Sequence, residues 1–428
     1  MDIKTEAEQA RLASIKLAST STEERNRALI AIAGALKEEA ASIDAANKAD
    51  LDAAESSGLA TPLLKRLKFD DAKRIDCVDG IESLVSITDP LGVVHKRTEL
   101  YPGLELTRVA CPIGVVGIIF ESRPDALVQI STLSLKSGNG CLLKGGSEAR
   151  HTNRRLFEII SEAASSAGMP DGWIQLLETR DDVSAMLELD EYIDLLIPRG
   201  SNEFVRYIMD NTRISVMGHA DGICHVYIDK ELNIDMALNI VEDSKCQYPA
   251  VCNAVETLLV HKDIAKDFLP DMRKRLHMGR GVELRGCERT CAIIECLPAE
   301  ESDWKEEYLD TILAIKIVDS IEEAITHINR YGSGHTDAIV TSNEKAAEVF
   351  LNTVDSADVF WNCSTRFADG FRFGLGAEVG ISTSKLHARG PVGLDGMMSY
   401  KWQLRGSGQT VAPFADGHMK FTHVEKDL

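Results

Sequence analysis

The chain has 428 residues, 44% of them hydrophobic and 27% charged, and a formal net charge of −20. That balance fits a soluble globular protein of two or three domains and argues against a nucleic-acid surface, which needs clustered Lys and Arg. No apolar run approaches the ~18 residues of a membrane span, and the polar start lacks the continuous apolar stretch of a secretory signal, so a cytoplasmic location is expected.

Residues 1–90 read as helices. Thr22–Ala54 carries apolar residues at helical spacing, with Ser21, Thr22 and Glu24 as start signals. Between Val93 and Arg108, two alternating stretches around Tyr101-Pro102-Gly103 form an expected hairpin. From Val109 the rhythm changes. Short apolar runs at Val115–Phe120, Cys141–Lys144, Ile174–Leu177, Ile193–Pro198 and Ile223–Ile228 alternate with helical stretches at Asp125–Ser137, Ser147–Ala167, Asp181–Glu188 and Ser201–Asn211. Strand, helix, strand at these lengths implies right-handed βαβ units and a parallel sheet. A second α/β series follows, with a helix at Ile234–Lys245 and strands at Glu256–Val260, Ala292–Cys296, Ile312–Val318, Ala338–Thr341 and Val359–Trp361. Met398–Arg405 alternates once more, as a strand able to pair with another subunit does.

Ten cysteines are scattered, mostly in apolar runs, and read as small buried hydrophobes of a reducing compartment. Cys287, Cys291 and Cys296 lack a paired CxxC knuckle, so no metal site is expected there. Cys252 differs. It stands in DSKCQYPAVCNAVETLLVH, where a polar, proline-bent loop delivers a thiol directly before a strand. At such a junction a substrate can reach the sulfur and backbone N–H groups are free to face an oxyanion.

No GxGxxG fingerprint follows the first strand, and the glycines of Pro112–Gly117 lie inside it, where they serve close packing. Gly279-Arg280-Gly281 and Gly374-Leu375-Gly376 lack the strand–turn–helix setting. The better anion seat is LLIPRGSNEF, where a buried strand ends at Pro198 and Gly200-Ser201 opens a helix whose dipole and free N–H groups can receive an anion. Lys144 ends another strand and points to the crevice where α/β folds bind ligands. Asn362–Pro391, with Arg366, Arg372, Lys385, His387 and Arg389, reads as a binding loop for an anion. No Ser elbow, HExxH or P-loop occurs, which removes the kinase and metalloprotease readings.

These segments resemble one family. VDSIEEAITHINRYGSGHTDAI looks like the signature of the γ-glutamyl phosphate reductases, a branch of the aldehyde dehydrogenase superfamily, and PIGVVGIIFESRPDA, LLKGGSEA, IPRGSNE, GHADGICHVY, QYPAVCNAVETLLVH and STRFADGFRFGLGAEVGISTSKLHARGP resemble its other hallmarks. The resemblance implies an α/β, aldehyde-dehydrogenase-like fold: a Rossmann-type NADP-binding domain at 1–95 and 108–228, a catalytic domain at 229–395, and a small β oligomerisation element at 96–107 and 396–428. It implies a nucleophile at Cys252 and cofactor contacts from Ser122, Lys144, Pro198, Arg199, Gly200, Ser201 and Glu307, with NADPH as reductant. For the substrate, glutamyl phosphate, Arg123, Asn253, Asn362, Arg366 and Arg372 are the candidates. The glutamate base of hydrolytic relatives is missing from Met217–Gly222, and Glu121-Ser122-Arg123-Pro124 replaces their oxyanion asparagine. The expected activity is therefore reduction of an acyl phosphate, with a hydrolytic aldehyde dehydrogenase as the alternative. A homodimer or homotetramer is expected, and residues 1–90 leave no room for a fused kinase, so a glutamate kinase would be a separate partner.

Overall fold

The computed structural model describes residues 2–59, 61–178, 182–375 and 378–428. Gly376 and Asp181, named above, lie outside them.

The helical start holds, with a capping box in which Ser21 and Glu24 bond each other's backbone. Its helices bury Leu17, Leu29, Ile32 and Ile43 against a parallel sheet. In that first sheet the spatial order is Ile174–Leu177, Gly140–Gly145, Val115–Phe120, Leu195–Arg199 and Ser215–Val216. Chain order runs outward from Val115–Phe120 in one direction and then restarts on its other side with Leu195–Arg199. This reversal opens a crevice at the carboxyl ends of the two strands, where doubly wound sheets bind ligands.

A second parallel sheet is ordered Leu297–Pro298, Glu283–Gly286, Ile312–Val318, Val255–His261, Cys224–Ile228, Thr336–Val340 and Asp358–Trp361. Its central strand, Val255–His261, is buried at every residue, as strands covered on both faces are. Two expectations change here. Cys224–Ile228, assigned above to the first half, pairs with Val255–His261 and Thr336–Val340 in the second sheet. The strand expected at Ala292–Cys296 is instead a turn after the short helix Glu288–Cys291, with Ile293 and Ile294 N–H bonded to the Thr290 carbonyl. The true strand is Glu283–Gly286. Gly286 is required there because a Cβ would stand 2.6 Å from Cys296 Sγ and 2.7 Å from a Thr290 methyl.

The expected hairpin forms as Val94–Tyr101 and Leu104–Pro112. Met398–Arg405 pairs with the second arm along its whole length, and Val424–Glu425 with the first, giving a four-stranded antiparallel sheet. Before that strand the chain returns to the first core, where Val379, Val392, Leu394 and Met397 are buried. Among the described residues no helix is long and apolar enough to cross a membrane.

Candidate active site

The crevice at the strand reversal is a cavity of about 850 Å³ that reaches the Cys252 loop of the second sheet. Cys252, Arg123, Pro198, Arg199, Gly200 and Glu307 all line it. In a chain of net charge −20 this lining is cationic: Lys65, Arg66, Lys73, Arg123 and Arg199 face Glu121, Asp125 and Glu307. A second cavity, about 500 Å³, shares Arg123 and Arg199 and adds Asp369, Phe371 and Glu378.

The helix Ile234–Cys246 carries Lys245, whose Nζ donates to Glu256 at 2.6 Å with both side chains fully buried. That pair ties the helix end to the strand beyond Cys252. Asn253 Nδ2 donates to the Ala368 carbonyl at 2.7 Å, and Arg366 Nε donates to Gln247 Oε1 at 2.9 Å. Both therefore brace the Cys252 loop, and neither lines the cavity. Gly222 makes the loop's position possible: a Cβ there would stand 2.5 Å from Cys252 Cα and 2.6 Å from its Cβ.

Burial pushes the Cys252 thiol up to about 12, the Glu307 charge adds to this, and Arg199 opposes it. Cys252 is thus a neutral thiol at rest. Beside it stand His219 and His335, and one donor atom of each imidazole lies with Cys252 Sγ inside a 4.8 Å triangle. His219 Nδ1 is 2.8 Å from the Ile381 carbonyl. A carbonyl only accepts, so Nδ1 carries the proton and Nε2 is the basic nitrogen. Burial holds the pKa of both imidazoles below the usual histidine range.

Ser201 caps the helix Asn202–Asp210, accepting from Phe204 N–H, and its own N–H donates to the Glu121 carboxylate at 3.3 Å. The positive end of the helix already attracts an anion. Glu307 accepts from Asn202 Nδ2, which anchors it beside the same terminus. Ser122 has a left-handed φ of 46°, stabilised by Glu148, which accepts from its N–H at 2.6 Å and its hydroxyl at 2.8 Å. Lys144 is buried and donates to the Gly145 carbonyl at 2.7 Å.

The remaining expected residues lie elsewhere. Asn362 bonds Thr341 with both ends of its amide, accepting from its N–H at 3.0 Å and donating to its carbonyl at 2.9 Å. That bond pattern holds a left-handed φ of 57°, and Asn362 is not among the residues that line the cavity. Arg372 donates to the Arg366 carbonyl, behind the nucleophile loop. Of the cluster Cys287, Cys291 and Cys296, the last two approach each other at 3.3 Å.

The aldehyde dehydrogenase family model matches residues 1–283 and 276–402. The γ-glutamyl phosphate reductase of Acetivibrio thermocellus is 61% identical over 423 residues, 99% of this chain and 98% of that protein. The crystal structure of the Thermotoga maritima γ-glutamyl phosphate reductase superposes with a TM-score of 0.94 at 39% identity, covering 96% of this chain and 100% of that one. The chain belongs to the γ-glutamyl phosphate reductase family. An acetylating aldehyde dehydrogenase from Geobacillus thermoglucosidasius shares the fold at a TM-score of 0.66 and 18% identity, over 96% of this chain and 97% of that one.

Four residues at the site, His219, His335, Glu378 and Gly222, are not among those expected from the sequence pattern. The histidines and Glu378 come from loops remote from Cys252 in the chain, and no local spacing announces their meeting. Gly222 had a signal, a glycine just before a buried strand. Aldehyde dehydrogenases use a nicotinamide cofactor, and the groove suits one. Gly200 lies where a Cβ would crowd Glu121 Oε2 at 2.7 Å and Phe204 at 2.8 Å, and a ligand's phosphates at this helix terminus would take the place of the Glu121 carboxylate on Ser201 N–H.

Proposed function

We propose that the chain reduces L-glutamyl 5-phosphate to L-glutamate 5-semialdehyde and phosphate, with NADPH and through a thioester on Cys252, as the second step of proline synthesis from glutamate. The observation that carries this reading is a thiol set in a cation-lined cavity at the strand reversal. An acyl phosphate brings anionic oxygens and an activated carbonyl, and the cavity offers cations and a nucleophile.

In this reading Cys252 loses its proton to His219 Nε2 and its sulfur attacks the acyl carbon, giving a thioester as phosphate leaves. Covalent capture splits one hard displacement into two easier ones. Bound reduced nicotinamide supplies the hydride. Cys252 then departs as the thiolate and takes up a proton from solvent while the aldehyde leaves. The backbone at Gly200 and Ser201 would hold the pyrophosphate, Pro198 shapes that turn, Glu307 would hold the nicotinamide ribose, and Ser122 and Lys144 would contact the adenosine end. Lys144 near a 2′-phosphate is what favours NADPH. The amino-acid end, with its ammonium and carboxylate, suits the second cavity, where Asp369, Glu378 and Arg123 offer both signs of charge.

The hydrolytic alternative needs a base for water, and the corresponding loop Met217–Gly222 has no glutamate, its one carboxylate, Asp221, being bonded to Asn202 and Arg206. An acyl phosphate is consumed soon after it forms, so a separate glutamate kinase supplies it, and the enzyme works in the cytoplasm. The exposed Tyr400, Trp402 and Leu404 on the edge strand Met398–Arg405 suit a second copy, in a homodimer or homotetramer.

The test runs the reaction in reverse, from semialdehyde, NADP⁺ and inorganic phosphate. Cofactor reduction should require phosphate, and Cys252→Ala should lower kcat by about 10⁴-fold or more, as loss of a covalent nucleophile does. Turnover that survives the substitution, or free glutamate formed without phosphate, would overturn the reading.

A further inference from the structure

Arg199 is placed unlike any other cation of the cleft. It ends the strand Leu195–Arg199 one residue before the helix terminus that suits a pyrophosphate. Its side chain does not stay there. It runs past Gly380, where Nη1 lies 3.0 Å from the position a Cβ would take, and it lines both cavities. Among the described residues no carboxylate pairs with it, and its buried Nε–H finds no acceptor. A guanidinium is always charged and carries five donors, and a buried donor left unpaired is costly, so this arrangement is suited to a ligand with several anionic oxygens. Arg123, whose Nη2 donates to Asp125 at 3.0 Å, lines the same two cavities and repels Arg199. A dianion between two guanidinium groups removes that repulsion.

We propose that Arg199 seats the phosphoryl oxygens of the acyl phosphate, with Arg123 as the second cation, and leaves the cofactor's pyrophosphate to the backbone at Gly200 and Ser201. The step it serves balances within the reaction already given. The Sγ–C bond forms, the C–O bond to phosphorus breaks, and the electron pair goes to the departing phosphate. The proton that His219 took from Cys252 passes to that phosphate. The charge that develops on the leaving oxygen falls beside a fixed guanidinium, where stabilisation counts toward the rate.

This inference rests on the acyl-phosphate reading, and the experiment separates the two. In the reverse direction the wild type must first show phosphate-dependent reduction of NADP⁺; if it does not, the acyl-phosphate reading is what falls. Given that dependence, Arg199→Gln should raise the KM for inorganic phosphate by about tenfold or more, the expected loss of a charge-assisted contact, with the KM for NADP⁺ within about twofold. Arg199→Lys should recover part of the phosphate KM, since it keeps the charge and loses the fork. If the glutamine variant does not fold, the lysine variant is assayed against wild type for slowing of Cys252 alkylation by inorganic phosphate, which should be weakened. An unchanged phosphate KM, an NADP⁺ KM that rises as much, or undiminished phosphate protection in the lysine variant would overturn the proposal.

Discussion

Lys245 and Arg199 are both basic side chains drawn inward around the nucleophile loop, and the molecule treats them oppositely. Lys245 is closed off: fully buried, it bonds Glu256 at 2.6 Å. Arg199 is left open, with a buried Nε–H and no partner among the described residues. The first arrangement holds together the helix that leads to the loop and the strand that leaves it. The second keeps an unsatisfied charge at the crevice, at the expense of stability, where a ligand can complete it. A cation that the fold completes is architecture, and one that it leaves incomplete marks a ligand seat.

Three measurements can break or sharpen this contrast. The largest effect should come from Lys245→Met, which strands Glu256 in the interior. Burial already pushes that carboxyl up to about 7 against the pull of Lys245. Denaturant unfolding should show a loss of about 3–5 kcal/mol, with much of it recovered in the double variant Lys245→Met, Glu256→Leu. A small loss in the single variant would mean that the pair is not structural.

Next is the reactivity of Cys252 in the ligand-free enzyme. Its pKa is raised to about 12, so the thiolate is scarce at neutral pH and grows as pH rises toward that value. Alkylation of the Cys252 peptide, followed by mass spectrometry, should therefore quicken by about tenfold per unit between pH 7 and 9. Glu307→Gln, which removes the second-largest cause of the shift, should quicken it at every pH in that range. A rate flat across these pH values would show that the thiol is already ionised at rest.

The smallest effect should be on the stability of Arg199→Met. An unpaired guanidinium contributes little to folding, so the unfolding free energy should stay within about 1 kcal/mol of wild type or rise, as at other sites where function and stability compete. A loss as large as that of Lys245→Met would erase the distinction.

Much of this was legible in the chain. Cys252 could be singled out because a polar, proline-bent loop between a helix and a buried strand is visible as pattern, and the same held for the turn at Pro198–Ser201. What escaped depends on partners far away in sequence. Glu283–Gly286 looks too polar for a strand, yet it pairs with Ile312–Val318 through its backbone, which no side-chain pattern reports. Cys224–Ile228 has the right period, but period does not say which sheet a strand joins. Asn362 has the chemistry of a ligand contact; only the structure shows that both ends of its amide bond Thr341, away from the cavity lining. His219 and His335 meet Cys252 from separate loops, and a lone histidine in a sequence carries no sign of such a meeting.

The protonated state of Cys252 also bears on how long the enzyme lasts. Peroxides attack thiolates and progress from sulfenic to irreversible acids, while the neutral thiol reacts slowly. Burial and two carboxylates, Glu307 and Glu378, hold Cys252 in that slow form. On the proposed mechanism, then, the same low-dielectric setting that makes this sulfur wait for its substrate also shields it from oxidants between turnovers.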